Sequence, residues 1–356
     1  MAATTAHVFG AAVPRTRAFG GRKRHAKTRA TSLELVSPED EREVRGTTRP
    51  PVLLALPGGD VEQLLAFPLI EAVRNKNPGC CVDVLIPSRA KSAYGINPNV
   101  RYTFVEELDG DPSPDQVSAV LGKLRNKGYA KLISAKPAGA TFSLDMLTTN
   151  IPERISYISS EGYIFNWIAN WIMKGERVPT MKMASLGASM YDMLWKLALE
   201  EEAPPKKPLN FKIPAKAKQL AKEKLDAQGL MPGKFILLQS SPVPDTDAEV
   251  KAYDWSRVGA NASTPVLYVT KTTKEAKAYA GANVAVVPTV AELAALVEMS
   301  KGVVCANTPA LLLGSALEKP VVLVGEDQKI AESFVPGGKV QTVSDPEGAN
   351  SILAAW

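Results

Sequence analysis

The chain has 356 residues, with 42 Lys and Arg against 37 Asp and Glu, and 45% of its residues are hydrophobic. That length and apolar share admit two domains, each with a core of its own. The excess of base lies at one end. Arg15, Arg17, Arg22, Lys23, Arg24, Lys27 and Arg29 fall within residues 1–30, which hold no acid; taking these seven from the 42 leaves 35 basic residues against 37 acidic. A body so near neutrality gives no reason to expect a nucleic-acid partner.

An acid-free start rich in Ala, Arg and Thr reads as an organelle transit peptide, and the MAATT opening favours plastid over mitochondrion. Residues 1–45 are therefore expected to be a transit peptide and a disordered arm. The two histidines, His7 and His25, both lie in this leader. The body then has no Ser–His–Asp triad, no Cys–His pair and no histidine metal site. Cys80 and Cys81 are adjacent, Cys305 sits in an apolar run, and no CxxC pair exists. Neither zinc nor an iron–sulfur centre is indicated, and no cofactor is expected. No window offers the roughly 20 uncharged apolar residues of a membrane span, so membrane association is peripheral at most.

The elements follow in chain order from Pro51. Val52–Pro57 is a continuous apolar run, as in a strand covered on both faces. After Gly58-Gly59-Asp60, residues 61–79 have helical apolar spacing and a Pro78-Gly79 stop. Strands are predicted at Cys81–Pro87, within Asn97–Glu107, and at Tyr129–Lys136, with a helix at Val117–Lys127. This alternation predicts an open parallel sheet, a Rossmann-like N-terminal domain over residues 46–200. Residues 161–200 are rich in aromatics and Met and read as two helical pieces split near Arg177–Pro179. Residues 201–232 read as a Pro- and Lys-rich linker followed by a charged helix, Lys216–Gln228. The pattern then repeats over residues 233–356. Strands are predicted at Lys234–Ser241, Thr264–Thr270, Asn283–Pro288, Gly302–Asn307 and Pro320–Gly325, with helices at Ala291–Met299 and Ala310–Leu317. The fold class is α/β, two doubly wound domains facing a cleft, where such a fold binds a ligand.

Three loops carry candidate chemistry. Gly58 and Gly59 permit a tight turn after the first strand, and Asp60 is either a general base for a sugar hydroxyl or the N-cap of the next helix. The glycines form neither GxGxxG nor a P-loop. Asn307 and Thr308 either cap the helix that follows or help its N-terminus receive a diphosphate, although Pro309 removes one N–H donor. Ser240 and Lys251 lie in or beside a long loop after a strand, which either lines the cleft or is solvated, with Trp255 as its anchor. Finally, Ile164, Trp167, Ile168, Trp171 and Ile172 recur at helical spacing. They form either a core face or an exposed face for a partner protein or membrane surface.

Taken in order, these pieces resemble glycosyltransferase family 9, the ADP-heptose:lipopolysaccharide heptosyltransferases. The resemblance runs from about Pro51 to about Gln328. It rests on LLALPGGDVEQLLAFPLIEAVRNKNPGCCVDVLIP, on IPERISY as a Pro-x-Arg-Ile-Gly-like turn, on MYDMLWKLAL and on SALEKPVVLVGE. It implies a two-domain GT-B fold, a nucleotide sugar held mainly by the C-terminal half, and Asp60 as base. Elsewhere the chain departs from the family. NTPALLL stands where the family has an Asp-Ser/Thr-Gly-x-x-His-like run, so Asn307 replaces the acid, Pro309 the glycine and Leu312 the histidine. The family's Lys two places before a Trp falls on Tyr253, while Lys251 lies four before Trp255. With these departures and its leader, the chain is similar to the subcomplex B type of subunit of the chloroplast NAD(P)H dehydrogenase-like complex of cyclic electron flow. That resemblance implies a non-catalytic subunit with protein partners at the thylakoid. The alternative is an active glycosyltransferase using a nucleotide sugar, with Asp60 as base, Asn307, Thr308, Ser240 and Lys251 at the donor, and no metal.

Overall fold

A strand packed between two helical layers must be apolar at consecutive positions. The chain supplies such runs at Val52–Ala55 (β1), Val82–Ile86 (β2), Val266–Thr270 (β8), Gly302–Cys305 (β10) and Val321–Val324 (β11), all buried along their length. The computed structural model describes residues 49–105, 114–125, 127–138, 140–159, 166–173, 177–178, 195–196, 198–201, 209–240, 254–259, 262–279, 281–325 and 339–356. The leader assigned above to a transit peptide lies outside them.

The first sheet adds Val100–Val105 (β3), Lys131–Ala138 (β4), Glu153–Ser159 (β5) and Arg177–Val178 (β6). Its order is β3-β2-β1-β4-β5-β6, with every pair parallel. The second adds Ile236–Gln239 (β7), Asn283–Val286 (β9) and Val340–Val343 (β12). Its order is β12-β11-β10-β7-β8-β9, again all parallel. Each sheet starts in its middle, winds to one edge, returns and winds to the other. The winding reverses beside β1 in one sheet and beside β7 in the other, which is where doubly wound sheets open a crevice at the strands' carboxyl ends.

The helices depart from the sequence reading in instructive places. The single helix expected over residues 61–79 is two, Asp60–Leu65 (α1) and Phe67–Lys76 (α2), broken at Ala66 because Pro68 in the first turn of α2 has no N–H to continue the ladder. A 3-10 segment, Ser88–Ile96, follows β2 and buries Ala90, Ala93, Tyr94 and Ile96. IPERISY is not a turn: all but its first two residues lie in β5. The remaining helices are Pro114–Arg125 (α3), Ala140–Leu147 (α4), Asn166–Ile172 (α5), Ala215–Ala227 (α6), Thr273–Ala276 (α7), Val290–Met299 (α8), Pro309–Ala316 (α9) and Pro346–Leu353 (α10).

Both sheets contribute to one core. A continuous cluster of buried apolar side chains runs from β1, α1, α2 and the 3-10 segment through α8 and α9 to β10 and β11. Helix α1 packs on α9, and the 3-10 segment packs on α8. Separate clusters fill the outer faces, Leu53, Leu85 and Leu132 behind the first sheet and Ile236, Leu238 and Val304 behind the second. Each such side chain contributes about 1.5–3 kcal/mol on burial, so the shared inner cluster is a major part of what holds the molecule together.

Candidate functional site

The loop after β1 is built by its neighbours. Gly58 has φ 96°, and a Cβ there would lie 2.6 Å from Glu62 Cγ, so this turn requires glycine. Glu62 reaches back to accept the Gly59 N–H at 2.8 Å, which closes the first turn of α1. Gln63 is fully buried. Its amide donates to the carbonyls of Leu56 and Pro57, each at 3.0 Å, and its Oε1 accepts the Tyr94 hydroxyl at 2.7 Å. Burial pushes the Tyr94 phenol well above its ordinary pKa. The loop is thus held from both sides before Asp60 is reached.

Asp60 is not the cap. Gly59 is the N-cap, Asp60 is the first helical residue, and its carboxylate points across the cleft. Only 7% of Asp60 is exposed. Its Oδ2 accepts from Lys271 Nζ at 2.9 Å, and Ser92 donates to its Oδ1 at 3.4 Å. Lys271 belongs to the other half and follows directly on β8. Thr272 caps α7 by accepting the Glu275 N–H at 3.2 Å, and Glu275 accepts the Lys271 N–H at 2.9 Å. These two bonds fix the backbone from which the Lys271 side chain extends. The ammonium also donates to the Arg89 carbonyl at 3.3 Å. The Asp60 carboxylate thus rests on an ammonium from the other half and on the Ser92 hydroxyl.

The second half engages some of its candidates and leaves others unpartnered. Ser240, buried at the end of β7, shares its hydroxyl hydrogen bond with Tyr279, which stacks on Tyr268 at 4.7 Å between ring centroids. Thr308 is the N-cap of α9 but makes no side-chain capping bond, and its fully buried hydroxyl has no hydrogen-bond partner among the described residues. Burial pushes the Cys305 thiol behind it up to about 12. Pro309 offers no N–H. The Ala310 N–H donates to Gln239 Oε1 at 3.1 Å, and the Leu311 N–H donates to the Thr308 carbonyl at 3.0 Å. Three backbone positions at this helix start therefore offer no free donor, while the Thr308 hydroxyl there has no hydrogen-bond partner among the described residues. Asn307 Oδ1 is buried and has no hydrogen-bond partner among the described residues. Lys251 lies outside the described residues. Lys271 and Gln239 were not among the residues singled out from the sequence, although they engage Asp60 and α9.

The aromatic stripe divides. Trp167 and Trp171 are 65% and 74% exposed, whereas Ile168 is half-buried and Ala169, Ile172 and Met173 pack into the core behind the first sheet. Successive helical residues differ by about 100°, so a helix lying on the sheet turns 168 and 172 inward and 167 and 171 outward. Helix α4 packs on α5 and carries Leu144, also exposed. Ile164 lies outside the described residues. No helix among the described residues is long and apolar enough to cross a membrane.

Two bacterial structures share the architecture over nearly their whole length. A family 9 glycosyltransferase from Veillonella parvula superposes with a TM-score of 0.61 at 14% identity, covering 84% of this chain and 86% of its own. The ADP-heptose lipopolysaccharide heptosyltransferase II of E. coli superposes with a TM-score of 0.62 at 14% identity, covering 86% of this chain and 98% of its own. The chain has the GT-B fold. Identity this low speaks to the fold alone. No protein-family profile matches the chain. Among curated proteins, it is 28% identical over 301 residues to the photosynthetic NDH subunit of subcomplex B 1, chloroplastic, of Arabidopsis thaliana. The match covers 78% of this chain, which spans 65% of that relative's length. At the crevice of this GT-B fold, Asp60 of α1 is bonded to Lys271 and the Ala310 N–H of α9 to Gln239.

Proposed function

We propose that this chain is a non-catalytic GT-B-fold subunit of a chloroplast thylakoid-associated assembly, the NAD(P)H dehydrogenase-like complex of photosynthetic cyclic electron flow. One observation supports the non-catalytic reading: the protein itself engages several of the groups that the resemblance places at the donor and acceptor. Lys271 holds Asp60, Gln239 holds the Ala310 N–H, and Tyr279 holds Ser240. The relative of 28% identity, a chloroplast NDH subunit, supports the assembly. The partner-facing surface in this reading is the Trp167–Trp171 face with Leu144. Exposed tryptophans are costly in water and dominate protein interfaces. Helices α4 and α5 carry one charged residue between them, Asp145, and no Lys or Arg. A face for anionic lipid would carry basic residues, so a protein partner is favoured.

The test replaces the native protein in chloroplasts with the wild-type chain or with Trp167→Ser/Trp171→Ser. The wild type is expected to migrate with the complex after gentle solubilisation of thylakoids. The double variant, folded by circular dichroism, should lose at least about tenfold of that recovery, since two central tryptophans each contribute around 2 kcal/mol or more. A wild-type protein found as free monomer would sink the proposal. Separately, no ADP, UDP or GDP, free or as sugar conjugate, should raise the melting temperature. A bound ligand at about 100 times its dissociation constant would stabilise by about 2.7 kcal/mol, which is easily seen. Clear stabilisation by one of them would restore the glycosyltransferase.

A further inference from the structure

Two domains joined only through a linker move relative to one another unless their interface is large and apolar. Here the inner cluster passes without a break from α1 and the 3-10 segment to α8 and α9. Polar contacts lie at its edge. Lys271 of the second half reaches Asp60 at 2.9 Å and the Arg89 carbonyl at 3.3 Å in the first. Ser92 of the first half donates to Asp60 and accepts the Val290 N–H of α8, each at 3.4 Å. Asp60 is nearly inaccessible, while 48% of the Lys271 side chain remains exposed. The acid is thus sealed inside the seam and its partner enters from outside. Parting the halves would separate Asp60 from Lys271, its only cationic partner among the described contacts, and removing Lys271 from the closed form would leave a buried carboxylate unpaired.

We propose that the Asp60–Lys271 ion pair, backed by Ser92, is a latch that holds the two halves at one fixed closure. The crevice of this fold then does not open for a ligand, and the two sheets form a rigid body. This goes beyond the non-catalytic reading, which concerns the atoms in the cleft rather than its motion.

The test is a distance measurement on the full chain by double electron–electron resonance. Spin labels are placed at Ser118→Cys on α3 and Ser351→Cys on α10, both exposed, in a Cys81→Ser background. The otherwise unaltered protein is expected to give one narrow distance, unmoved by saturating ADP, UDP or GDP. Lys271→Met and the near-isosteric Asp60→Asn should each lose that single peak to a broader or longer distribution, while Lys271→Arg keeps it. The latch is overturned by a broad or two-peaked distribution without these latch substitutions, by a shift on adding nucleotide, or by both latch variants matching the protein that lacks them. The two readings fail separately. Nucleotide stabilisation with an unchanged distance defeats the non-catalytic reading alone, whereas a broad distribution with no nucleotide response defeats the latch alone.

Discussion

Asp83→Ala is expected to lower the unfolding free energy by about 3–5 kcal/mol, the usual cost of breaking a buried ion pair from one side. Asp83 is fully buried in β2, between apolar neighbours. Its Oδ1 accepts from Arg101 Nε at 3.0 Å and from the Tyr102 N–H at 3.1 Å; its Oδ2 accepts from Arg101 Nη2 at 2.6 Å and from the Tyr129 hydroxyl at 2.7 Å. Burial and the facing carboxylate push the Tyr129 phenol well up, so it remains a donor at any physiological pH. Arg101 lies over the Tyr102 ring at 4.8 Å from its centroid. The alanine would strand a guanidinium that is itself largely buried, with a phenol beside it. Urea denaturation should show the loss as a lower midpoint with little change in slope. Arg101→Met should cost a similar amount. The double variant should cost less than the two combined, because each single change leaves the other charge unpaired. A loss below about 1 kcal/mol for Asp83→Ala would mean that water reaches the site and the pair is not a buried one.

Asp83 also illustrates what the sequence held unread. A lone acid within VDVLI must find a partner, because its strand is otherwise apolar on both faces. Arg101 lies on the neighbouring β3, and Tyr129 just before β4, one strand beyond β1, so a partner was present in the sequence. The long apolar runs were legible for the opposite reason: a strand covered on both faces has little choice of composition. The 3-10 segment was not legible, because SRAKSAYGI buries only small residues, Tyr94 and Ile96, without the 3–4 spacing of an α-helix. Strand β12 and helix α10 lie in a polar stretch whose pattern is faint. Asp60 was found from its loop, but Lys271 was not. The two stand 211 residues apart, and a lysine after a strand looks solvated until both sheets are wound and their carboxyl ends brought together. Gln239 was missed likewise, since its bond to α9 depends on β7 lying beside β10.

Phe235→Ala should test whether the shared core makes the molecule one cooperative unit. Phe235 precedes β7, is fully buried, and belongs to the cluster that reaches β1, α1 and the 3-10 segment. Its backbone carbonyl also accepts the Lys301 N–H at 2.8 Å, which ties it to the approach to β10. Truncating a buried phenylalanine costs about 3–5 kcal/mol through lost transfer energy and the cavity left behind. In two independent domains, that loss would fall on the second half and leave the first as stable as before. Because the inner cluster is continuous, opening the second half exposes α1 and the 3-10 segment as well, so the first half should lose its protection too. Hydrogen exchange reads this directly. Slow amides of β1 and β2 should exchange faster by roughly 10²–10⁴-fold in Phe235→Ala, in step with those of β7 and β10. If the first-sheet amides keep their protection while the second-sheet amides lose theirs, the halves fold separately, and the continuity of the core does not make them one unit.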